Sequence, residues 1–452
     1  MYNTDVTFIG TGHACWHAAL MLRQAGRKVA MVEEDRVAGT CTNWGCNAKI
    51  LLDTPFSMID GLSSFEGKGL DALPAVNWES LMAYKKKVIN PVYKALEGLF
   101  GQAGIELHRG HGRLLDAHTV TTGSETWTSE YIVIGTGERP AVREYPGNEY
   151  AHDSRDFLDL EHFPKRIAFI DGGIISMEFA SIALKMGAET TVIHHNDRLL
   201  KMYPEKYVNR LTEKMKKEGA RFALGCSVKK IEKQGAEYAV TLSDGSVLTC
   251  DYVLEATGRI PNVENLGLEE TGIAFSAHGI RVNEYMQTSL ENVYASGDCV
   301  EKRLPKLTPT ATFESNYIAA HILGLNPAPI HYPAIPNLVF TLPRIAQAGV
   351  TVAEAQSHPE LYRIETVPFG QRLLFMAKND PEVDFTYIFD KENHLVGCAV
   401  YGGDADVLID TAALIINKQM TAAELSQMIF TFPTVTYGFI TMMLPLMAGG
   451  NH

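Results

Sequence analysis

The chain has no unbroken apolar run of about 18 to 20 residues, the length a membrane-crossing helix requires, so no membrane partner is expected. Its first residues lack a basic region followed by an apolar stretch, which argues against a secretory signal. Positive charge is also short. Against 53 Asp and Glu stand 40 Lys and Arg, a formal net charge of −13, and nucleic-acid phosphates need basic clusters that this balance does not offer. Seven cysteines scattered over 452 residues are too few, and odd in number, for a secreted disulfide framework. Low-complexity segments and long linkers are missing as well. Together these absences point to a cytoplasmic protein of about three domains, with 46% hydrophobic residues to fill their cores.

What is present begins with an apolar strand, Val6 to Ile9, that runs into Gly10-Thr11-Gly12. A helix carrying Trp16, Ala19, Leu20 and Leu22 follows, then a second strand, Lys28 to Val32, ending in Glu33. A glycine turn between strand and helix lets backbone approach a pyrophosphate, and an acid at the end of the next strand suits a ribose diol. A second such unit starts at Ile167 to Ile170, with the turn Asp171-Gly172-Gly173, a helix to about Met186 and a strand from Thr190 to Ile193. Two units imply two dinucleotides, or one dinucleotide and a degenerate copy. Directly after the first unit, Gly39-Thr40-Cys41-Thr42-Asn43-Trp44-Gly45-Cys46 places two cysteines in a loop beside the first dinucleotide. Beyond about residue 330, alternating runs such as Phe385 to Phe389 and Leu395 to Val400 read as an antiparallel sheet with helices packed on it.

These elements resemble the flavoprotein disulfide reductases, the family of glutathione reductase, dihydrolipoamide dehydrogenase and mercuric reductase. The resemblance covers nearly the whole chain. It is carried by Gly10-x-Gly12, Glu33, Cys41-x4-Cys46 with Lys49, Gly135-Thr136-Gly137, and the second turn with Glu178. Ala256-Thr257-Gly258-Arg259, Gly297-Asp298 and Phe340-Thr341-x-Pro343 complete it. It implies an α/β fold with two Rossmann-like dinucleotide-binding domains and a C-terminal α+β dimerisation domain. The implied boundaries are 1–145 and 257–329 for FAD, 146–256 for NAD(P)H and 330–452 for a homodimer interface. Residue by residue it implies FAD at Gly10, Gly12 and Glu33, with Asp298 near the ribityl and pyrophosphate. Gly39, Thr40, Thr136, Gly137, Gly173 and Gly258 join the cofactor-binding set. Lys49, paired with Glu178, would stand beside the flavin, Cys46 would contact it, and Cys41 would exchange with a small-molecule substrate. The cysteines would alternate between dithiol and disulfide.

Three departures limit how far the resemblance carries. Disulfide-reducing members have a C-terminal His, followed five residues later by a Glu; these positions are Phe432 and Tyr437 here. That imidazole serves the exchanging cysteine across the dimer as its acid–base partner, help typically worth about 10²–10⁴-fold. Mercuric reductase is similar in having Phe there, but the tail Ala448 to His452 lacks its vicinal cysteines. In the second unit the first glycine position is Asp171, whose charge repels a pyrophosphate, and the strand after it ends in His194 and His195 rather than an acid. That leans toward NADPH, with those histidines near a 2′-phosphate; NADH and impaired nicotinamide binding stay open, as does a polar strand end facing water. Last, His13 and His17 share one helix face above the cysteines, beside Trp16 and Trp44. They read as a replacement base, as soft-metal ligands together with Cys41, or as polar lining. The favoured activity is electron transfer from nicotinamide through FAD to the cysteine pair and on to a small disulfide or thiol-reactive compound. Metal-ion reduction and a redox-sensing flavoprotein without turnover are the alternatives.

Overall fold

The computed structural model describes residues 2–449; Met1 and residues 450–452, and with them most of the tail compared with mercuric reductases, lie outside the described part. Strand Thr4–Ile9 forms the centre of the first sheet because its apolar residues are buried on both faces. It pairs in parallel with Val29–Glu33 on one side and Thr126–Ile134 on the other, in register through Val6, Val29 and Tyr131. Glu106–Arg109 extends one edge, and Val293–Ala295 pairs with Thr126–Ile134. Residues far along the chain therefore return to the first unit. Between them stands a second parallel sheet in the order Arg221–Leu224, Glu189–His194, Arg166–Ile170, Tyr252–Glu255, with an antiparallel three-stranded meander beside it.

The C-terminal sheet has five antiparallel strands in the order Asn337–Val339, Arg344–Gly349, Leu395–Gly402, Asp384–Phe389, Arg363–Pro368. Helix Ala405–Lys418 packs on it, and the apolar tail forms a further helix, Val435–Met447, burying Phe439, Ile440, Met443 and Leu446. The long helix Trp78–Ala103 continues through Pro91, which is exposed, as is Lys87 one turn back, so the freed carbonyl can turn to water. Asn77 caps its start by accepting the Ser80 N–H at 2.8 Å, and Gly104 in the left-handed region ends it. Among the described residues no helix is long and apolar enough to cross a membrane.

The cysteine segment is not the loop expected from sequence. It forms two helices, Gly39–Trp44 and Cys46–Ser63, broken at Gly45. A Cβ on Gly45 would meet the Thr40 carbonyl oxygen at 3.0 Å, so glycine is what lets the break fold this tightly. The helical register brings Cys41 and Cys46 together and puts Cys46 at the N-terminus of an 18-residue helix, whose dipole favours negative charge.

That helix is anchored to the C-terminal sheet by a buried ion pair, Arg344 Nη1 donating to Asp53 Oδ1 at 2.9 Å, with the two side chains 7% and 2% exposed. Removing one member leaves an uncompensated buried charge. Arg344→Met is therefore expected to destabilise the fold by about 3–5 kcal/mol, read in calorimetry as a lowered unfolding temperature. A loss below about 1 kcal/mol would mean that water reaches the pair.

Candidate active site

The first glycine turn and the cysteine helix touch. Gly10 has φ +110°, and a Cβ there would come within 2.5 Å of the Gly135 carbonyl oxygen. A Cβ on Gly39 would lie 2.9 Å from the Cα of Gly12. These glycines remove side chains where three backbone segments meet, and the space beside them is a cavity of about 1190 Å³. Its wall includes Gly10, Gly12, Glu33, Gly39, Thr40, Thr136, Gly137 and Asp298, eight residues taken from sequence as cofactor-binding, and it also carries His13, Cys41 and Cys46. Gly258 is not in that wall; it lies in the crossing between domains, its carbonyl accepting the Ala141 N–H at 3.0 Å.

Glu33 accepts the Thr11 hydroxyl and the Asp35 N–H, while burial pulls its carboxyl above the usual range. Thr136 and Asn262 exchange hydrogen bonds, the hydroxyl donating to the Asn262 carbonyl at 2.6 Å and the amide to the Thr136 carbonyl at 2.8 Å. The Gly297–Asp298 turn is held from behind by Glu314, fully buried, which accepts the Gly297 N–H at 2.7 Å and pairs with Lys302 at 2.6 Å. Lys306 donates to the Asp298 carbonyl at 2.8 Å and pairs with Glu138. Nothing local in the sequence marked Glu314, because its partners lie across a helix and a strand end.

Cys41 and Cys46 are free thiols in hydrogen-bond contact. Cys46 is held down to about 6 by the Cys41 thiol donating to it, with help from the Thr308 hydroxyl and the Lys49 charge against the opposing effect of burial. Cys41 is raised, first by that same hydrogen bond and then by burial. Thr308, 3.5 Å from the Cys46 sulfur, is a site residue that sequence reasoning missed. It begins the helix Thr308–Ile322 and carries no motif. Lys49 Nζ donates to Glu178 Oε1 at 3.1 Å and lies 3.5 Å from the centre of the Phe340 ring. The Phe340 N–H donates to the same Glu178 oxygen at 2.8 Å.

The two histidines adjoin. His13 Nδ1 is 3.1 Å from His17 Nε2, and the His17 ring stacks on Trp16 at 3.5 Å. Burial lowers His13; burial and then the neighbouring His13 bring His17 down to about 4, so His17 is uncharged at neutral pH and a weak proton acceptor. The alternative in which both histidines join Cys41 as metal ligands has no such cluster: among the described residues the one three-ligand cluster is Asp171, His194 and His195. Trp44 stacks with the guanidiniums of Arg155 and Arg36, at 4.2 and 5.3 Å. Phe432, 71% exposed, meets Tyr437 edge-on at 5.1 Å where the family has its His and Glu.

In the second unit Asp171 takes the first glycine position with φ +95°, and its Oδ2 accepts the Gly173 N–H at 2.9 Å. His194 does not face water. It is buried over the turn, with Nδ1 accepting the Gly172 N–H at 3.1 Å, and only His195 is exposed. Of the two histidines expected near a 2′-phosphate, His194 packs where Gly172 has no Cβ, and His195 is the one exposed to solvent. Cys226 is half-exposed and donates to Asp244 at 3.5 Å.

Residues 4–315 match the model of the pyridine nucleotide-disulphide oxidoreductase family, and residues 335–443 match that family's dimerisation domain. The chain belongs to this family. It is 31% identical to a glutathione reductase of Burkholderia cepacia over 98% of both chains. It is 29% identical to a mercuric reductase of Staphylococcus aureus, covering 96% of this chain and 81% of the other. The HOCl-induced flavoprotein disulfide reductase RclA of Escherichia coli shares the fold with a TM-score of 0.87, at 22% identity over 96% of this chain and 98% of that one. The chain is an oxidoreductase whose family implies FAD and a pyridine nucleotide. The glycine-cleared cavity, with Glu33 in its wall, fits a flavin dinucleotide.

In the reduced protein, iodoacetamide labelling of Cys46 should rise with pH through an inflection near 6. The thiolate form is favoured above that pH and lost below it. Lys49→Met should move the inflection upward, read by mass spectrometry of the labelled peptide. First labelling at Cys41, with an inflection at ordinary thiol values, would reverse the assignment.

Proposed function

We propose that this family member is an FAD-containing, NADPH-dependent enzyme that reduces a small disulfide or thiol-reactive compound through Cys41 and Cys46, NADH being the alternative donor. The carrying observation is the paired thiols in the cavity wall, one raised and one lowered by the hydrogen bond between them. Bound FAD would supply two-electron transfer between nicotinamide and the cysteine pair. NADPH is favoured because no carboxylate follows the strand Glu189–His194 directly, where a free ribose diol would need one.

The pair itself supplies what Phe432 does not. Cys41 passes its proton to the Cys46 thiolate, and the Cys41 thiolate attacks the substrate disulfide, forming a Cys41–substrate disulfide and expelling one substrate thiolate. Cys46 then attacks the Cys41 sulfur, its proton goes to the second departing thiolate, and the Cys41–Cys46 disulfide forms. Lys49 holds positive charge beside Cys46, and Glu178 keeps Lys49 in place. His13 and His17 are pocket lining in this scheme. The dimerisation domain supports a homodimer, and Ile429 and Phe432, exposed in the single chain, are residues such an interface would cover.

Reduction of a soft metal ion is the second reading. It is favoured by the adjoining His13 and His17, both lowered toward the neutral form in which histidine binds metal, with His13 in the same cavity wall as Cys41. A solved Cu(II) complex of an RclA variant, of the same fold at 21% identity, gives that reading its test ion.

Stopped-flow mixing with NADPH or NADH, followed by lipoamide, glutathione disulfide, coenzyme A disulfide, Cu²⁺ or Hg²⁺, separates these readings. Rapid flavin reduction by NADPH and reoxidation by one disulfide are expected, with Cys41→Ser keeping the first step and losing the second. Reoxidation by metal ions alone would favour the second reading, and no reduction by either nicotinamide would remove the enzyme's electron source. His13→Asn and His17→Asn should leave the pH profile of reoxidation unchanged above pH 6. Loss of a limb of that profile would make one of them the base.

A further inference from the structure

The second glycine turn contains an electrostatic conflict. His194 Nδ1 accepts the Gly172 N–H at 3.1 Å, so this nitrogen presents a lone pair rather than a proton. Oδ1 of Asp171 lies 2.9 Å from the same nitrogen. A lone pair and a carboxylate oxygen at that distance repel each other. Protonating Nδ1 would satisfy Asp171 but set the new N–H against the Gly172 N–H. Nδ1 has a single lone pair, so a cation bound there would take it in place of the Gly172 N–H, giving up that 3.1 Å bond, and would stand beside the Asp171 oxygen.

A third ligand atom is at hand. The ligand atoms of Asp171, His194 and the exposed His195 all lie within 4.8 Å of one another. Asn196 steadies the His195 ring through a 2.9 Å hydrogen bond at Nε2. Two donor atoms 2.9 Å apart span adjacent corners of a coordination shell whose bonds are about 2.0–2.2 Å long. Two imidazoles and one carboxylate suit zinc, copper or nickel rather than magnesium or calcium.

We propose that Asp171, His194 and His195 hold a divalent transition-metal ion of the zinc or copper class, which offsets the Asp171 charge for an incoming nicotinamide dinucleotide. Three protein ligands leave a coordination position open, and a phosphate oxygen fits it. Without the ion, Asp171 Oδ2 holds the Gly173 N–H, the donor a pyrophosphate would use, and repels the pyrophosphate as well. With the ion, the charge facing the pyrophosphate changes sign. The site is separate from the thiol pair and independent of which substrate the thiols reduce.

Calorimetric titration with ZnCl₂ tests this on the FAD-loaded, EDTA-treated protein carrying Cys41→Ser and Cys46→Ser, which removes the thiols as competing ligands. One zinc per chain is expected. His195→Ala, a surface change that spares the fold, should weaken it by about tenfold or more, and Asp171→Asn should do the same. Saturating ZnCl₂ should tighten NADPH binding by about fivefold or more, with no such gain in His195→Ala. Absence of zinc binding, equal binding by His195→Ala, or NADPH affinity that stays level or falls once zinc is bound would each overturn the proposal.

Discussion

The Lys49–Glu178 pair is the contact on which the site depends. Lys49 comes from the cysteine helix, Glu178 from the first helix of the second dinucleotide unit, and the Phe340 N–H that shares the carboxylate from the edge of the C-terminal sheet. One buried oxygen thus ties three parts of the chain to the segment bearing both cysteines. Burying either charge alone would cost several kcal/mol, so the three parts lose that compensation if they separate. The Phe340 ring over the ammonium adds a cation–π contact and helps keep water away. The Arg344–Asp53 pair repeats the device further along the same helix.

With Lys49 fixed, the thiols become unequal. Cys46 has a helix N-terminus, a hydroxyl, a cation and a thiol donor directed at it, and Cys41 has none of these to itself. A pair divided in this way keeps one proton between two sulfurs, which is the resource a C-terminal imidazole supplies elsewhere in the family. Phe432 is therefore tolerable for a substrate whose leaving thiolate needs little protonation. It is costly for one that needs a strong general acid. The His13–His17 pair does not make up the difference, since His17, protonating near 4, is no general acid at neutral pH and burial lowers His13 as well.

What the sequence made legible was whatever backbone geometry demands of a local string. Gly10 and Gly12 between a strand and a helix, Glu33 at the next strand end, and Asp298 after a short strand all line the cavity. The glycines and Glu33 follow from rules about a few neighbouring residues, and Asp298 from the family resemblance. Thr308 and Glu314 escaped because their roles depend on partners 262 and 17 positions away, joined only by folding. The cysteine segment was mistaken for a loop since Gly39 and Gly45 look like turn residues. In the fold they are the gaps through which one helix approaches Gly12 and another closes on Thr40.

Asp171 is the residue whose meaning changed most between sequence and structure. As a letter it is only a negative charge where a pyrophosphate belongs. In the fold its carboxylate is divided, one oxygen on the Gly173 N–H and the other against His194. The left-handed backbone at φ +95° is sterically costly for a side chain and is offset by that local hydrogen bond. His194, set at the position where NADH-using members of the family carry an acid, is drawn into the same turn. The two departures from the family pattern are thus one structural unit. Reverting either alone would leave the other unbalanced: a glycine at 171 would free His194 of its carboxylate, and an acid at 194 would set two carboxylates against each other. Whatever enters this turn must settle the charge of both residues at once.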